Sequence, residues 1–115
     1  MSLIMFETTP LLEQGVLNLT FNLKTNIQVT AKRAQQLVSV FVGNQIADLL
    51  HGDLPNLVIR EEGAYWRVPV VLSSHSLGRI GLVGTIDVHV ETGKLQTNDR
   101  IIREIEQKST LLRGM

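Results

Sequence analysis

Asp87, His89 and Glu91 alternate in the run Ile86-Asp-Val-His-Val-Glu-Thr-Gly-Lys and are the densest acid–base grouping in the chain. On a β-strand such spacing puts all three on one face. A carboxylate beside an imidazole there is the pairing used for general-base catalysis, or for two ligands of a metal ion. The same alternation also describes a solvent-facing or dimer-facing side of an antiparallel strand, and spacing fixes no third ligand. The surface role is the preferred expectation. A small hydrolase or metal-dependent enzyme using Asp87 and His89, with His75 as a third group, is the alternative.

The other candidates have plainer readings. Ser73, Ser74 and Ser76 surround His75. A serine nucleophile needs a positioned base and an oxyanion site on a sharp strand-to-helix elbow, whereas S-S-H-S between two strands reads as a turn. His51 falls at the expected end of a helix, where an imidazole suits the C-terminal dipole. Gly78, Gly81 and Gly84 are spaced by three but lead into a strand, so they lack the strand–turn–helix setting of a dinucleotide site. Gly81 and Gly84 instead predict a bulge or close packing against Trp66. Arg60, Glu61, Glu62, Arg67 and Arg79 suggest an ionic patch near one sheet end, and Arg67 suits a carboxylate or phosphate. No catalytic, cofactor-binding or metal-ligating residue is assigned, and no cofactor is expected.

Composition narrows the partners. With 115 residues the chain is read as one domain, 1–115, large enough to fold without disulfides. It contains no cysteine, which removes thiolate catalysis and cysteine-ligated metals. Lys plus Arg and Asp plus Glu both number 11, so net charge is zero and no global field favours nucleic acid. Lys24, Lys32 and Arg33 form the only local basic group, too small for a nucleic-acid surface. A neutral chain with 43% hydrophobic residues has little electrostatic protection against association, so a homo-oligomer, most simply a dimer, is expected. The opening Met-Ser-Leu-Ile-Met-Phe-Glu has no basic region, and Glu7, Pro10 and Glu13 interrupt any signal core. No apolar run reaches the ~20 residues of a membrane span. Cytoplasmic residence is the default expectation, with no membrane partner.

The elements that must position these residues follow from periodicity. Residues 1–14 read as a peripheral arm. From Val16 to Lys24 apolar and polar residues alternate, predicting a half-buried strand. Ala34, Leu37, Val38, Phe41, Val42, Ile46, Leu49 and Leu50 recur at threes and fours, predicting one long helix over Ala31–Leu50. Asn26 or Thr30 would cap its start and Gly52 its end. Leu57–Arg60, Tyr65–Leu72 and Ile80–Val90 read as strands. Trp66, Val68, Val70 and Leu72 share the core face, as do Ile80, Leu82, Gly84, Ile86, Val88 and Val90. Tyr65 is read as an outer-face or interface residue. Pro69 demands an edge or a bulge. Gly93 supplies a positive φ in the next turn, and Asn98 or Asp99 caps a helix over Asp99–Arg113 with Ile101, Ile102, Ile105 and Leu112 inward. The fold class is α+β: an approximately four-stranded, mainly antiparallel sheet on a long helix, in the order β-α-β-β-β-α.

The motifs Trp66-Arg-Val-Pro-Val-Val-Leu, Gly78-Arg-Ile-Gly-Leu-Val-Gly-Thr-Ile-Asp-Val and Glu91-Thr-Gly, within residues 31–95, resemble a small family of uncharacterised prokaryotic proteins. That resemblance implies genes beside those of PIN-type toxin nucleases, and so an antitoxin-like or regulatory partner. The segment Ile86–Lys94 is also similar to the closing hairpin of PepSY-type domains, modules that bind or inhibit and in which a helix packs on a strand meander. His89 departs from that pattern, which usually has an acidic residue there, and neither resemblance supplies catalytic residues. The expected function is a non-enzymatic protein-binding or regulatory module, acting as a homodimer through strand addition or sheet-face contact.

Overall fold

The two longest β-type runs pair with each other and form the backbone of the sheet. In the computed structural model, which describes residues 4–7 and 24–114, β4 (Gly63–Ser74) and β5 (Gly78–His89) are antiparallel neighbours of 12 residues each. The turn between them is closed by Leu77 N–H donating to Ser74 Oγ at 2.9 Å, with Gly78 at φ +70°. Ser74 thus serves the turn, as its type predicts.

Around this ribbon lie β1 (Ile4–Phe6), β2 (Leu50–Gly52), β3 (Asn56–Arg60) and β6 (Leu95–Gln96). The sheet runs β1-β3-β4-β5-β6, with β2 also on β4. β1 is parallel to β3, and the other pairings are antiparallel. The α+β class holds, but the sheet is mixed and has six strands rather than four. Part of the expected peripheral arm supplies β1, while the strand expected at 16–24 lies, but for Lys24, outside the described residues. Lys24 itself is not in a strand.

Both helices, α1 (Ala31–Gln45) and α2 (Asp99–Arg113), pack on one face of the sheet. That face carries Trp66, Val68, Val70, Leu72, Ile86 and Val88, which join Ala34, Val38, Val42 and Ile105 in one core. Trp66 is in the core as expected, and its indole N–H donates to Val29 O at 2.7 Å. Thr30 caps α1, its side chain accepting from Arg33 N–H at 3.0 Å, and Asn98 caps α2, accepting from Ile101 N–H at 2.9 Å.

Four local expectations are corrected. α1 stops at Gln45, five residues early, because Leu50–Gly52 pair with Leu72, Val71 and Val70. Leu50 is buried by the sheet, not by a further helical turn. Gly52 is therefore a strand residue, not a left-handed cap. A Cβ there would lie 2.8 Å from Val68 Cγ1 and 3.0 Å from Gln35 O, so glycine lets α1 approach the strand. Its N–H donates to Ser39 Oγ at 2.9 Å and its carbonyl accepts from Gln35 Nε2 at 3.2 Å. His51, consequently, sits exposed in β2 rather than at a helix end.

The fourth correction concerns β5. Register shifts fall between Val70 and Val71 and between Leu72 and Ser73, leaving Val83 and Ile80 without direct partners. The first extra residue reverses the alternation: Val83 turns into the core at 3% exposure, whereas Leu82, opposite Val71, is 46% exposed. Gly81 and Gly84 do mark bulges and close packing, but their neighbours are Leu112 and Ile105 of α2, not Trp66. Pro69 is tolerated for a related reason. It lies between the stretches of β4 covered by β3 and by β2, and its carbonyl accepts from Asp53 N–H at 2.8 Å. Its missing N–H faces that junction, where no ladder bond is needed.

Candidate functional site

Asp87 is opposite Arg67 in the β4–β5 register, on the sheet face turned away from the helices. Among the described residues it is one of two polar or charged residues that are buried, the other being Ser109. Arg67 grips it in a two-point fork, Nε to Oδ1 at 2.9 Å and Nη2 to Oδ2 at 3.0 Å. Arg60 of β3 reaches across from the far side, its Nη2 also on Oδ2. Glu7, just past β1, pairs with Arg67 and lies 3.8 Å from Arg60 Nε, and Glu62 in the β3–β4 turn lies 3.7 Å from Arg60 Nη1. The Asp87 hydrogen bonds, ahead of any other cause, raise the Arg67 pKa above its ordinary value. Bidentate guanidinium–carboxylate pairing of this kind is strong and geometrically specific.

Tyr65 completes the cluster. The Arg60 guanidinium lies over its ring, 4.6 Å from the centroid, and the His89 ring meets it edge-on at 5.2 Å. Tyr65 is on the outer face, one of its two expected placements, and at 6% exposure it packs within the protomer. His89 Nδ1 is the acceptor for Glu91 N–H at 3.2 Å and Thr92 N–H at 3.4 Å, which puts the neutral ring's proton on Nε2.

Asp87 and His89 share a face, as their alternation requires. The row goes no further. Glu91 turns away, its Oε1 accepting from Thr25 Oγ1 at 2.9 Å and Asn26 N–H at 3.3 Å. These bonds lower its pKa and anchor the segment before α1 to the end of β5. His75 sits at the opposite tip of the hairpin, about 30 Å from His89 by strand rise alone. Among the described residues no three of His, Cys, Asp and Glu are grouped to hold a metal ion.

The expected ionic patch forms around Arg60 and Arg67 but excludes Arg79, which pairs with Asp53 at 2.6 Å. Asp53 has a lowered pKa, chiefly because it accepts from Leu54 N–H, with Arg79 adding to the effect. The sequence places Asp87 on a solvent-facing or dimer-facing side and does not mark it as the hub. The available signal was an acid between Ile86 and Val88 in a strand opposite an arginine-bearing one.

Two depressions flank this architecture. A polar cleft of about 630 Å³ runs along the outer edge of β5, between Thr85, Gln96 and Glu104, with Arg60, Arg67 and Asp87 at one side. The Thr97 hydroxyl lines it, buried without a hydrogen-bond partner. A more apolar groove of about 740 Å³ lies at the hairpin tip, between the chain following α1 and the end of α2. No described helix is long and apolar enough to cross a membrane. Compared with protein-family models, curated proteins and solved structures, the chain matches none.

Proposed function

We propose that the chain is a non-enzymatic protein-binding module that acts as a homodimer in a regulatory, antitoxin-like role. The observation that carries this reading is the engagement of Asp87: both carboxylate oxygens accept from arginines. A general base needs a lone pair free to take a proton, and a metal ligand needs an oxygen turned to the ion. Arginine N–H groups occupy three of the lone-pair directions of the Asp87 carboxylate, and His75 is out of reach, which favours the binding reading over the Asp87/His89 alternative.

Two further features support association. The chain has zero net charge, which lowers the electrostatic barrier to contact with another neutral surface. It also leaves large apolar side chains exposed, among them Leu77 at 78% and Leu111 at 72%. The same neutrality weighs against nucleic acid as the partner. Sedimentation equilibrium from micromolar to submillimolar concentration tests the reading. A concentration-dependent dimer is the expected result; a monomer throughout the range contradicts it.

A further inference from the structure

We infer that the homodimer contact lies at the hairpin tip, where Leu77 of each copy enters the apolar groove of the other. The inference rests on the homodimer reading above and adds its surface. The groove is walled by Leu49, Leu72, Ile80 and Leu112. Leu77 stands on its rim in the β4–β5 turn, more exposed than any other large hydrophobic described, with Leu111 exposed nearby on α2.

A two-fold interface joins the same patch on both subunits, so whatever projects must meet whatever receives within that one patch. Here a projecting leucine and an apolar recess adjoin. A rotation that seats Leu77 in the second copy's groove seats the second copy's Leu77 reciprocally. An apolar anchor in a pocket is also the usual centre of a binding hot spot.

Charge placement favours a second copy over a different protein. Asp48 and Arg113 line the same groove with opposite charges, and neither forms an ion pair or side-chain hydrogen bond within the protomer. In the proposed two-fold contact the two grooves meet as one self-complementary patch, with Asp48 of each copy taking Arg113 of the other as its partner. The charges are then satisfied twice across the interface, in line with electrostatic complementarity setting register.

The test is light scattering after size exclusion on the full chain, with circular dichroism to confirm folding. Leu77 is an exposed turn residue, so Leu77→Asp is expected to keep the fold and raise the dimer dissociation constant at least tenfold, with Leu77→Met close to wild type. Asp48→Arg and Arg113→Asp each weaken the dimer, and the D48R/R113D double variant restores it, because the reciprocal pairs re-form with reversed sign. If Leu77→Asp dimerises like wild type, or the double variant is no better than the singles, this surface is wrong while the homodimer reading survives. A wild-type protein that never dimerises overturns both.

Discussion

A side chain added at Gly84 would place its Cβ 2.7 Å from Cγ1 of Ile105, so α2 rests on β5 with no room for a methyl group between them. The glycine sits beside a bulge that also turns Val83 into the core. Sheet, bulge and helix are thus set by one close approach, and the cleft beside β5 inherits its shape from it.

Gly84→Ala is accordingly expected to destabilise the fold by about 1–3 kcal/mol, the usual penalty for overpacking. Ile105→Ala alone costs about 2–5 kcal/mol by leaving a cavity. The double variant should cost clearly less than the sum, because the new methyl occupies space that the isoleucine vacates. Urea unfolding of the four proteins measures the coupling, and strict additivity would contradict the contact.

The attachment of α1 to β2 makes a second prediction. Gly52→Ala drives a Cβ against Val68 Cγ1 and the Gln35 carbonyl, and backbone does not yield as a side-chain tip does. Its cost should exceed that of Ser39→Ala, which removes one hydrogen bond to Gly52 N–H and should cost about 1–2 kcal/mol. Thermal unfolding compares the two.

A third prediction concerns acid. Asp53 and Glu91 both have folded pKa values below their ordinary ones. A carboxylate of that kind contributes stability that is present above its unfolded pKa and lost as pH falls through the folded one. The melting temperature should therefore drop from about pH 4 downward, the ordinary carboxylate range. Because Thr25 and Asn26 hold the Glu91 carboxylate, Glu91→Gln should be less stable than wild type at pH 7 and closer to it at pH 3. A constant difference across that interval would contradict the anchoring role.

Much of the fold is legible in the sequence because periodicity reports local geometry. The two faces of β4 over Tyr65–Leu72, the extent of α2 and the positive φ of Gly93 follow from residue types and spacing, and Thr30 and Asn98 are each one of the two caps that residue types offer. What eludes local reading is register. Counted outward from the turn, the pair Ser74 and Gly78 projects Arg67 onto Thr85. Two extra residues in β5 shift the ladder by two, and Arg67 meets Asp87 instead. Gly81 and Gly84 signal a bulge but not how many residues the ladder shifts, so the sequence shows an ionic patch without showing that Arg67 faces Asp87. The early end of α1 has the same origin. Leu49 and Leu50 keep helical spacing, but hydrogen bonds to β4 draw Leu50–Gly52 into the sheet.

Chemical denaturation of Asp87→Asn tests the central claim most directly, because that variant keeps the side-chain shape and removes the charge that Arg60 and Arg67 share. Breaking a buried pair typically costs about 3–5 kcal/mol, and with both guanidinium groups partly solvated a loss of about 2–4 kcal/mol is expected here. Stability equal to wild type would contradict the claim, since the carboxylate would then be free of the sheet and available for chemistry.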